Sequence, residues 1–149
     1  MARIPRCQFP LEAVFHVTAR GVDGTRIVRD RQDGLTFLSL LLDGARRFRL
    51  GMHAFCLMPN HVHLVVEARR DRLSSAMHRL LGIHAQRFNR RHDRKGHLFG
   101  DRFWTQLIRS DEHLSAACVY VVHNPVRAGL CARPDDWPWL GSRYGASLD

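Results

Sequence analysis

Two apolar segments separated by a two-residue turn place the strongest constraint on how this chain can fold. Residues 50–58 (LGMHAFCLM) and 61–68 (HVHLVVEA) have the composition of β-strands, and Pro59 and Asn60 between them are turn formers. Strands so close along a chain pair most readily as an antiparallel hairpin. The sequence therefore predicts an antiparallel sheet that contains this hairpin.

The segments on either side of the hairpin extend this arrangement. Alternating, β-branched residues indicate further strands, and apolar residues at helical spacing indicate helices. The predicted elements are strands over residues 13–20 and 102–109, and helices over residues 30–48, 73–92 and 111–124, the last capped by Ser110. The order β-α-β-β-α-β-α predicts an α+β, ferredoxin-like antiparallel sheet with an added C-terminal helix that carries Tyr120.

The chain length favours one domain. With 149 residues, a chain can remove roughly 68–70% of its unfolded surface from water without disulfides or metals. We find no repeat, low-complexity tract or linker. We therefore expect a single domain over residues 1–149, with a core at about 11–130 and a short tail at 131–149 that packs over the domain.

Composition excludes several classes of protein. Apolar residues make up 45% of the chain and charged residues 25%, which is typical of a globular domain. No apolar run approaches the roughly 20 residues of a transmembrane helix, and the N-terminus lacks the apolar core of a signal peptide. We therefore expect a cytoplasmic protein with no membrane partner. The 4 cysteines form no C-x-x-C pair, which argues against a zinc knuckle or a disulfide framework.

The charge of the chain points to a polyanionic partner. The formal net charge is +9 at pH 7, and basic residues are spread along the whole sequence. Such a balance favours nucleic acid as the partner.

Two histidines of the predicted hairpin could form half of a metal site, and the alternative for an isolated pair is that both are ordinary surface or core histidines. Side chains at positions i and i+2 of a strand face the same side, so His61 and His63 project together. They must be neutral to bind a metal. His53 on the neighbouring strand is a minor ligand candidate, and Glu67 is interpreted as a solvated strand end. The remaining histidines are interpreted as ordinary surface or core residues, namely His16, His78, His84, His92, His97, His113 and His123.

A second constellation lies at the end of the third predicted helix. Tyr120 and Asn124 are spaced i and i+4, so they stand one above the other on one helix face. If that face lies over the histidine pair, Asn124 could be a third metal ligand and Tyr120 could reach a substrate. The alternative is that Tyr120 packs in the core and Asn124 caps the helix before Pro125.

The two constellations together resemble a known family. Residues 57–64 (LMPNHVHL) resemble the HUH motif, two histidines around a bulky hydrophobic residue, of single-tyrosine insertion-sequence transposases. Residues 120–130 (YVVHNPVRAGL) resemble the tyrosine helix of REP-associated tyrosine transposases. Further matches follow in family order over roughly residues 13–144: residues 16–21 (HVTARG), 88–91 (FNRR), 96–99 (GHLF) with Arg102 and Phe103, and 136–139 (DWPW).

The resemblance implies an enzyme that cleaves and rejoins single-stranded DNA. In such an enzyme Tyr120 attacks the phosphorus and forms a 5′-phosphotyrosine, while His61, His63 and Asn124 hold the metal. Mg²⁺ is the expected metal, and Mn²⁺ should be able to substitute. The expected target is hairpin DNA of the REP type. Tyr144, the only other tyrosine, lies in the tail and is a poor rival for the nucleophile.

Basic side chains near the predicted sheet and second helix are the candidates for phosphate contacts. They are Arg20, Arg87, Arg90, Arg91, Arg94, Lys95 and Arg102. Phe99, Phe103 and Trp104 could stack on unpaired bases, although core packing is the preferred interpretation.

Two other functions are consistent with the sequence. One is a non-catalytic, ferredoxin-like module derived from a transposase that binds DNA or RNA, and the other is a metal hydrolase that uses water. Relatives of this kind act as homodimers or as monomers, and the sequence leaves both states open.

Overall fold

A five-stranded antiparallel sheet organises the chain in the computed structural model, which describes residues 8–143. In chain order the elements are β1 (Glu12–Arg20), α1 (Arg31–Arg47), β2 (Gly51–Leu57), β3 (His61–Arg69), α2 (Arg70–Arg91), β4 (Trp104–Ile108), α3 (Asp111–Val122), α4 (Asn124–Arg127) and β5 (Leu140–Ser142). The strand order across the sheet is β4-β1-β3-β2-β5. Neighbouring strands run antiparallel. The predicted ferredoxin-like α+β fold and its central hairpin are confirmed.

Alternation along the strands divides the sheet into two buried faces. Phe15 of β1 and Leu64 of β3 lie in a core with Phe37 of α1 and Met77 of α2, so these two helices cover the first face. Val65, the next residue of β3, lies in a separate core that includes α3. A strand buried on both sides needs apolar residues at successive positions, which explains the continuous run at 64–66.

Side-chain caps define the start of two helices. The Asp30 carboxylate accepts a hydrogen bond from the Asp33 amide at 3.0 Å and begins α1. The Ser110 hydroxyl accepts from the His113 amide at 3.0 Å and begins α3, as the sequence predicted. Each cap satisfies an amide that has no partner inside its helix.

The third helix ends earlier than predicted. It stops at Val122 rather than near residue 124, and a separate turn of helix, α4, begins at Asn124. The reason is Pro125, which has no backbone N–H to continue the hydrogen-bond ladder of α3. His123 therefore marks a break between Tyr120 and Asn124.

The tail does more than pack over the domain. It adds β5 to the sheet edge beside β2, and the Leu57 amide donates to the Trp139 carbonyl at 2.8 Å. Trp139 also lies so close to α1 that a Cβ on Gly34 would come within 2.7 Å of its indole ring. The tail therefore closes one edge of the sheet, while Tyr144 lies outside the described residues.

No helix within residues 8–143 combines the length and the apolar character needed to cross a bilayer.

Candidate active site

The histidine pair lies at the start of β3. His61 and His63 are its first and third residues, and their ring centroids are 5.0 Å apart. Arg20 and Thr18 of β1 lie opposite them in the strand register. The two imidazoles lie side by side on the face of the sheet that α3 covers, since the ring of Tyr120 in α3 lies 5.6 Å from that of His63.

The residue before the pair orients His61. Its Nδ1 lies 2.6 Å from Oδ1 of Asn60, the last residue of the hairpin turn. The amide oxygen accepts, so Nδ1 carries the proton and donates. This leaves the lone pair of His61 on Nε2, which is the arrangement that metal-binding histidines commonly show.

His63 has one ring nitrogen in a hydrogen-bond network and the other without a protein partner. Its Nδ1 lies 3.0 Å from His16 Nε2 and 3.1 Å from Thr18 Oγ1. The side chain is buried, and Nε2 has no hydrogen-bond partner among the described residues. Such an orphaned buried polar atom is rare and calls for an explanation, for which an absent ion is one of the recognised reasons.

The imidazoles of the site are neutral at physiological pH. Burial lowers the pKa of His63 from 6.5 to about 3, with smaller contributions from His16, His61 and nearby arginines. Burial likewise lowers the pKa of His61 to about 4, helped by Arg20, and that of His16 to about 4. A neutral imidazole has the free lone pair that a metal ligand needs, so the residues of this site fit a divalent cation.

Tyr120 of α3 lies beside the pair and is nevertheless accessible to solvent. Its side chain is 47% exposed. Its ring centroid lies 5.6 Å from that of His63 and 6.0 Å from that of His16. The alternative in which Tyr120 packs in the core is therefore wrong, and the phenol is accessible to a large substrate.

Arg127 holds Tyr120 from the far side of the helix break. Its guanidinium carbon lies 4.2 Å from the centroid of the Tyr120 ring, and its Nη2 donates to the Tyr120 carbonyl oxygen. One side chain therefore contacts both the ring and the backbone of Tyr120.

Asn124 follows Tyr120 by four residues, beyond the break. It is the first residue of α4, and its side chain is buried rather than solvated. Helical hydrogen bonds continue on both sides of the break at His123. The His123 amide donates to the Val119 carbonyl, and the Arg127 amide donates to the His123 carbonyl. The assignment of Asn124 as a metal ligand stays a prediction.

A cleft opens between α3 and the strands β1 and β4. Its volume is about 640 Å³. Ala116, Ala117 and Tyr120 of α3 line it, and the small side chains of the two alanines leave room for the cleft. The other lining residues are His16, Thr18, Arg20, His63, Trp104, Gln106 and His113.

A second cleft continues the first along the end of β1. It has a volume of about 620 Å³ and shares Thr18, Arg20 and Trp104 with the first. Trp104 is 41% exposed where the two meet, so the preferred interpretation of core packing is wrong for this residue. Phe103 is buried in the core, as preferred from the sequence, and Phe99 is partly buried; both rings line the second cleft. The two clefts form one groove that passes beside the histidine pair.

The predicted DNA-binding residues fall into three groups. Arg20 and Arg102 line the groove. Arg87, Arg90 and Lys95 are exposed near the C-terminal end of α2. Arg91 and Arg94 form the third group, since both bond to their own chain.

The contacts of that third group are specific. Arg91 Nη1 donates to Asp30 Oδ1 at 2.6 Å and to Asp33 Oδ1 at 2.8 Å. Arg94 donates to Asn89 Oδ1, to the Gly96 carbonyl and to the His97 carbonyl. These two guanidinium groups hold α2 against the start of α1 and shape the loop after α2.

Asp30 and Asp33, which bond Arg91, also lie close to His92. Oxygen atoms of Asp30 and Asp33 and a nitrogen of His92 lie within 4.8 Å of one another. The Arg91 guanidinium already bonds both carboxylates, and His92 Nε2 bonds Asp33 Oδ2 at 2.8 Å. These groups are therefore partners in a salt-bridge network that links the helices.

His53, Glu67 and His84 were also considered in the sequence. His53 is buried in a β-bulge between Met52 and Ala54, and its Nε2 lies 3.7 Å from the exposed Glu67 carboxylate. His84 is buried in the opposite core, where its Nε2 bonds the Ile27 carbonyl at 2.7 Å. The interpretation of His84 as a core histidine is confirmed.

Sequence reasoning missed three residues of the site. His16 was interpreted as an ordinary histidine, yet it bonds His63, and Thr18 and Arg127 were not considered. A signal existed for the first two. His16, Thr18 and Arg20 alternate along β1, so they must share one face of the sheet.

Comparison with known proteins places the chain in a family. Residues 15–124 match the model for IS200-like transposases, and this stretch includes His16, the histidine pair, Tyr120 and Asn124. A protein of Haemophilus influenzae assigned to the REP-associated tyrosine transposases is 30% identical over 97 residues, which is 58% of this chain and 55% of the relative. The chain thus spans about half the length of that relative.

Two solved structures share the fold. A REP-associated tyrosine transposase bound to a REP hairpin superposes with a TM-score of 0.69 at 19% identity, over 94% of this chain and 82% of that one. A protein of Deinococcus radiodurans described as a transposase has a TM-score of 0.50 at 20% identity, over 83% of this chain and 97% of that one. At this identity the likeness concerns the fold alone. The family model covers well over half of the chain and all the motifs from β1 to the tyrosine helix, and the chain therefore belongs to the family of IS200-like transposases.

Proposed function

We propose that this chain is a metal-dependent transposase that cleaves and rejoins single-stranded DNA through a 5′-phosphotyrosine intermediate. One observation supports this proposal most strongly. The exposed phenol of Tyr120 lies beside the buried imidazole of His63, and the Nε2 atom of that imidazole has no protein partner in the described part of the chain. The proposed nucleophile and the imidazole whose Nε2 has no protein partner among the described residues thus line the same cleft.

Tyr120 is the proposed nucleophile. Its Oη attacks the scissile phosphorus and forms the P–Oη bond, while the P–O3′ bond breaks. The 3′ oxygen leaves with the electron pair and takes up a proton, and the phenolic proton passes to solvent. The new phosphodiester keeps the energy of the broken bond, so a 3′-hydroxyl can reverse the step without ATP.

His61, His63 and Asn124 are the proposed metal-binding residues, through two imidazole nitrogens and an amide oxygen. A divalent cation bound there would stabilise the negative charge that develops on the phosphate. Mg²⁺ suits phosphoryl transfer, and Mn²⁺ accepts imidazole ligands more readily. We therefore propose Mg²⁺ as the physiological ion, with Mn²⁺ able to substitute.

The groove beside the site is the proposed path of the DNA strand. Arg20 and Arg102 line it and can neutralise phosphates, and Arg87, Arg90 and Lys95 are further exposed basic residues that can contact phosphates. Arg91 and Arg94 contribute through the charge that they add, because their guanidinium groups bond the protein. Trp104, exposed in the middle of the groove, offers a ring on which an unpaired base can stack.

The proposed target is hairpin DNA of the REP type. Support comes from the Haemophilus influenzae relative and from the related structure that holds a REP hairpin. Both likenesses concern other proteins, so the identity of the hairpin for this chain is part of the proposal.

A suicide-substrate assay tests the proposal. Single-stranded oligonucleotides from hairpins that flank the gene, each with only a short segment on the 5′ side of the scissile phosphate, trap the covalent adduct, because the short fragment that carries the 3′-hydroxyl dissociates and cannot reverse the step. We expect a protein–DNA adduct with Mg²⁺ that survives denaturation and is lost in Tyr120→Phe. The matched control is Tyr144→Phe, which should form the adduct like the wild type.

The assay also separates the rival functions. Cleavage without an adduct, unchanged in Tyr120→Phe, would show a hydrolase that uses water. Binding of the oligonucleotides with neither cleavage nor adduct would show a non-catalytic module.

A further inference from the structure

His16 contacts the proposed metal-binding residue His63 from the neighbouring strand. Its Nε2 lies 3.0 Å from His63 Nδ1, and the two ring centroids are 5.1 Å apart. The contact joins residues 47 positions apart along the chain. Both side chains are buried, so water competes little with this hydrogen bond.

The proton on His63 can occupy either ring nitrogen, and the two states differ in what they allow. With the proton on Nε2, a buried N–H points away from any acceptor in the described chain, and Nδ1 can only accept. With the proton on Nδ1, that N–H donates to His16 Nε2 or to Thr18 Oγ1, and Nε2 presents its lone pair. Only the second state can bind a cation at Nε2.

The second state is favoured because it leaves no buried N–H of His63 without an acceptor in the described chain. His16 Nε2 and Thr18 Oγ1 are both placed to accept, so an Nδ1–H has two partners within hydrogen-bond distance. Histidines that bind metals commonly donate their second N–H to such an acceptor, which fixes the tautomer and the ring orientation. His61 shows the parallel arrangement, since its Nδ1 contacts Asn60 Oδ1.

We propose that His16, assisted by Thr18, is a positioning residue that fixes the proton of His63 on Nδ1 and so presents Nε2 to the catalytic metal. This inference rests on the proposed metal site at His61 and His63. His16 acts through His63 and takes no part in binding the metal.

Two measurements test the proposal, and neither depends on DNA cleavage. The first is the dissociation constant for Mn²⁺, followed by the loss of the electron paramagnetic resonance signal of free Mn²⁺. The second is the tautomer of His63 in the metal-free protein, read from long-range ¹H–¹⁵N NMR correlations of ¹⁵N-labelled histidine.

His16→Phe keeps an aromatic ring but removes the acceptor. We expect it to weaken Mn²⁺ binding by about 10- to 100-fold, the usual effect of losing a group that orients a metal ligand. In the NMR spectrum of this variant, the population of His63 that is protonated on Nε2 should increase. Thr18→Val should show a smaller shift in the same direction.

A conservative variant separates positioning from packing. His16→Gln places an amide oxygen near the position of the imidazole Nε2, so it can accept from His63 Nδ1. We expect it to recover most of the Mn²⁺ affinity and the wild-type tautomer. His78→Gln, which changes an exposed histidine of α2, should match the wild type in both measurements.

The outcomes distinguish this inference from the proposed function. Equal Mn²⁺ affinity in the wild type and His16→Phe would overturn the role of His16, and so would a wild-type His63 protonated on Nε2. A wild type that binds no Mn²⁺ would contradict the proposed metal site, and the NMR comparison would then decide the role of His16 alone. If His16→Phe does not fold by circular dichroism, Thr18→Val supplies the loss of an acceptor, and equal Mn²⁺ affinity and an unchanged His63 tautomer in that variant would overturn the inference.

Discussion

Arg127 contacts both the ring and the backbone of Tyr120 across the helix break. Its guanidinium carbon lies 4.2 Å from the ring centroid, and its Nη2 donates a hydrogen bond to the Tyr120 carbonyl oxygen. A cation over the face of a ring restricts how the ring can turn, and the hydrogen bond fixes the backbone below it. Arg127 therefore sets the direction in which the phenol points into the cleft.

We expect Arg127→Ala to slow adduct formation at saturating DNA. A cation–π contact at an exposed site contributes about 0.5–1 kcal/mol, which corresponds to a rate roughly two- to fivefold lower. Arg127→Lys should recover little, because an ammonium group lacks the planar fork that makes both contacts. The rate of adduct formation in single-turnover assays gives the answer, with Arg133→Ala as a control at an exposed pair. A wild-type rate in Arg127→Ala would show that the contact between Arg127 and Tyr120 has no role in catalysis.

Trp104 should be a major contributor to the affinity for single-stranded DNA. Stacking of a base on an aromatic side chain contributes about 1–3 kcal/mol, so Trp104→Ala should weaken binding roughly 5- to 150-fold. Trp104→Phe should retain most of the affinity. Fluorescence anisotropy with a labelled oligonucleotide measures this in a Tyr120→Phe background, where the DNA is not cut. Leu35→Ala, a change at an exposed apolar residue of α1, is the control, and equal losses in both variants would exclude a stacking role.

Asn124 should determine how much Mg²⁺ the enzyme needs. If its amide oxygen is a ligand, Asn124→Ala raises the Mg²⁺ concentration for half-maximal adduct formation by about tenfold or more, and excess Mg²⁺ restores the adduct. Asn124→Asp keeps an oxygen at that position and should lie closer to the wild type. Removal of the metal with EDTA should abolish the adduct in all three proteins. An unchanged Mg²⁺ requirement in Asn124→Ala would assign Asn124 to helix structure alone.

Arg91 and Arg90 are neighbours with opposite expected roles. Arg91 bonds the buried Asp33, so Arg91→Gln leaves that carboxylate short of a partner and should lower the free energy of unfolding by about 1–3 kcal/mol. Arg90→Gln should change stability by less than about 0.5 kcal/mol, since the residue is exposed. Urea unfolding measures both. For DNA affinity we expect the larger loss in Arg90→Gln and the smaller one in Arg91→Gln. A larger loss of affinity in a folded Arg91→Gln would show that Arg91, rather than Arg90, contacts the DNA.

The same network predicts a specific response to acid. The hydrogen bond from Arg91 lowers the pKa of Asp30 from 3.8 to about 2. Because the folded-state pKa lies below the unfolded value, the contribution of this pair is present above about pH 4 and is lost as the pH falls towards 2. Arg91→Gln should flatten this part of the stability profile. Identical pH dependence between pH 4 and pH 2 in the two proteins would contradict the pairing.

Two helical glycines offer a matched test of how the tail packs. A Cβ on Gly34 would lie 2.7 Å from the Trp139 indole, whereas a Cβ on Gly82 would meet nothing within 4 Å. We expect Gly34→Ala to destabilise the fold by about 1–3 kcal/mol through overpacking. Gly82→Ala should stabilise it by about 0.4–1 kcal/mol, because alanine restricts the unfolded chain. Thermal unfolding compares them, and stabilisation by Gly34→Ala would show that Trp139 does not sit against α1.

Local patterns in the sequence predicted most of the fold. The hairpin at Pro59 and Asn60 and the cap at Ser110 depend on residues close together along the chain, and both are present. The common face of His61 and His63 follows from strand periodicity alone. These features need no knowledge of distant parts of the chain.

The features that the sequence did not predict depend on distant contacts. His16 joins the site only because β1 pairs with β3 in a register that places Thr18 opposite His63. Asp33 is a charged residue that becomes buried because Arg91 and His92 reach it from α2. The strand β5 has three residues, too few for any periodic signal, and it forms because β2 offers an unpaired edge.

The register between β1 and β3 also has a consequence for synthesis of the protein. His16, His63 and Tyr120 come from an edge-proximal strand, the central strand and a helix near the end of the family region, so they meet only after long chain loops have closed. Such non-local contacts form late in folding. A chain that has left the ribosome only as far as the hairpin therefore has His61 and His63 and no tyrosine beside them. The proposed nicking activity therefore requires the completed fold, and an unfinished chain would lack it.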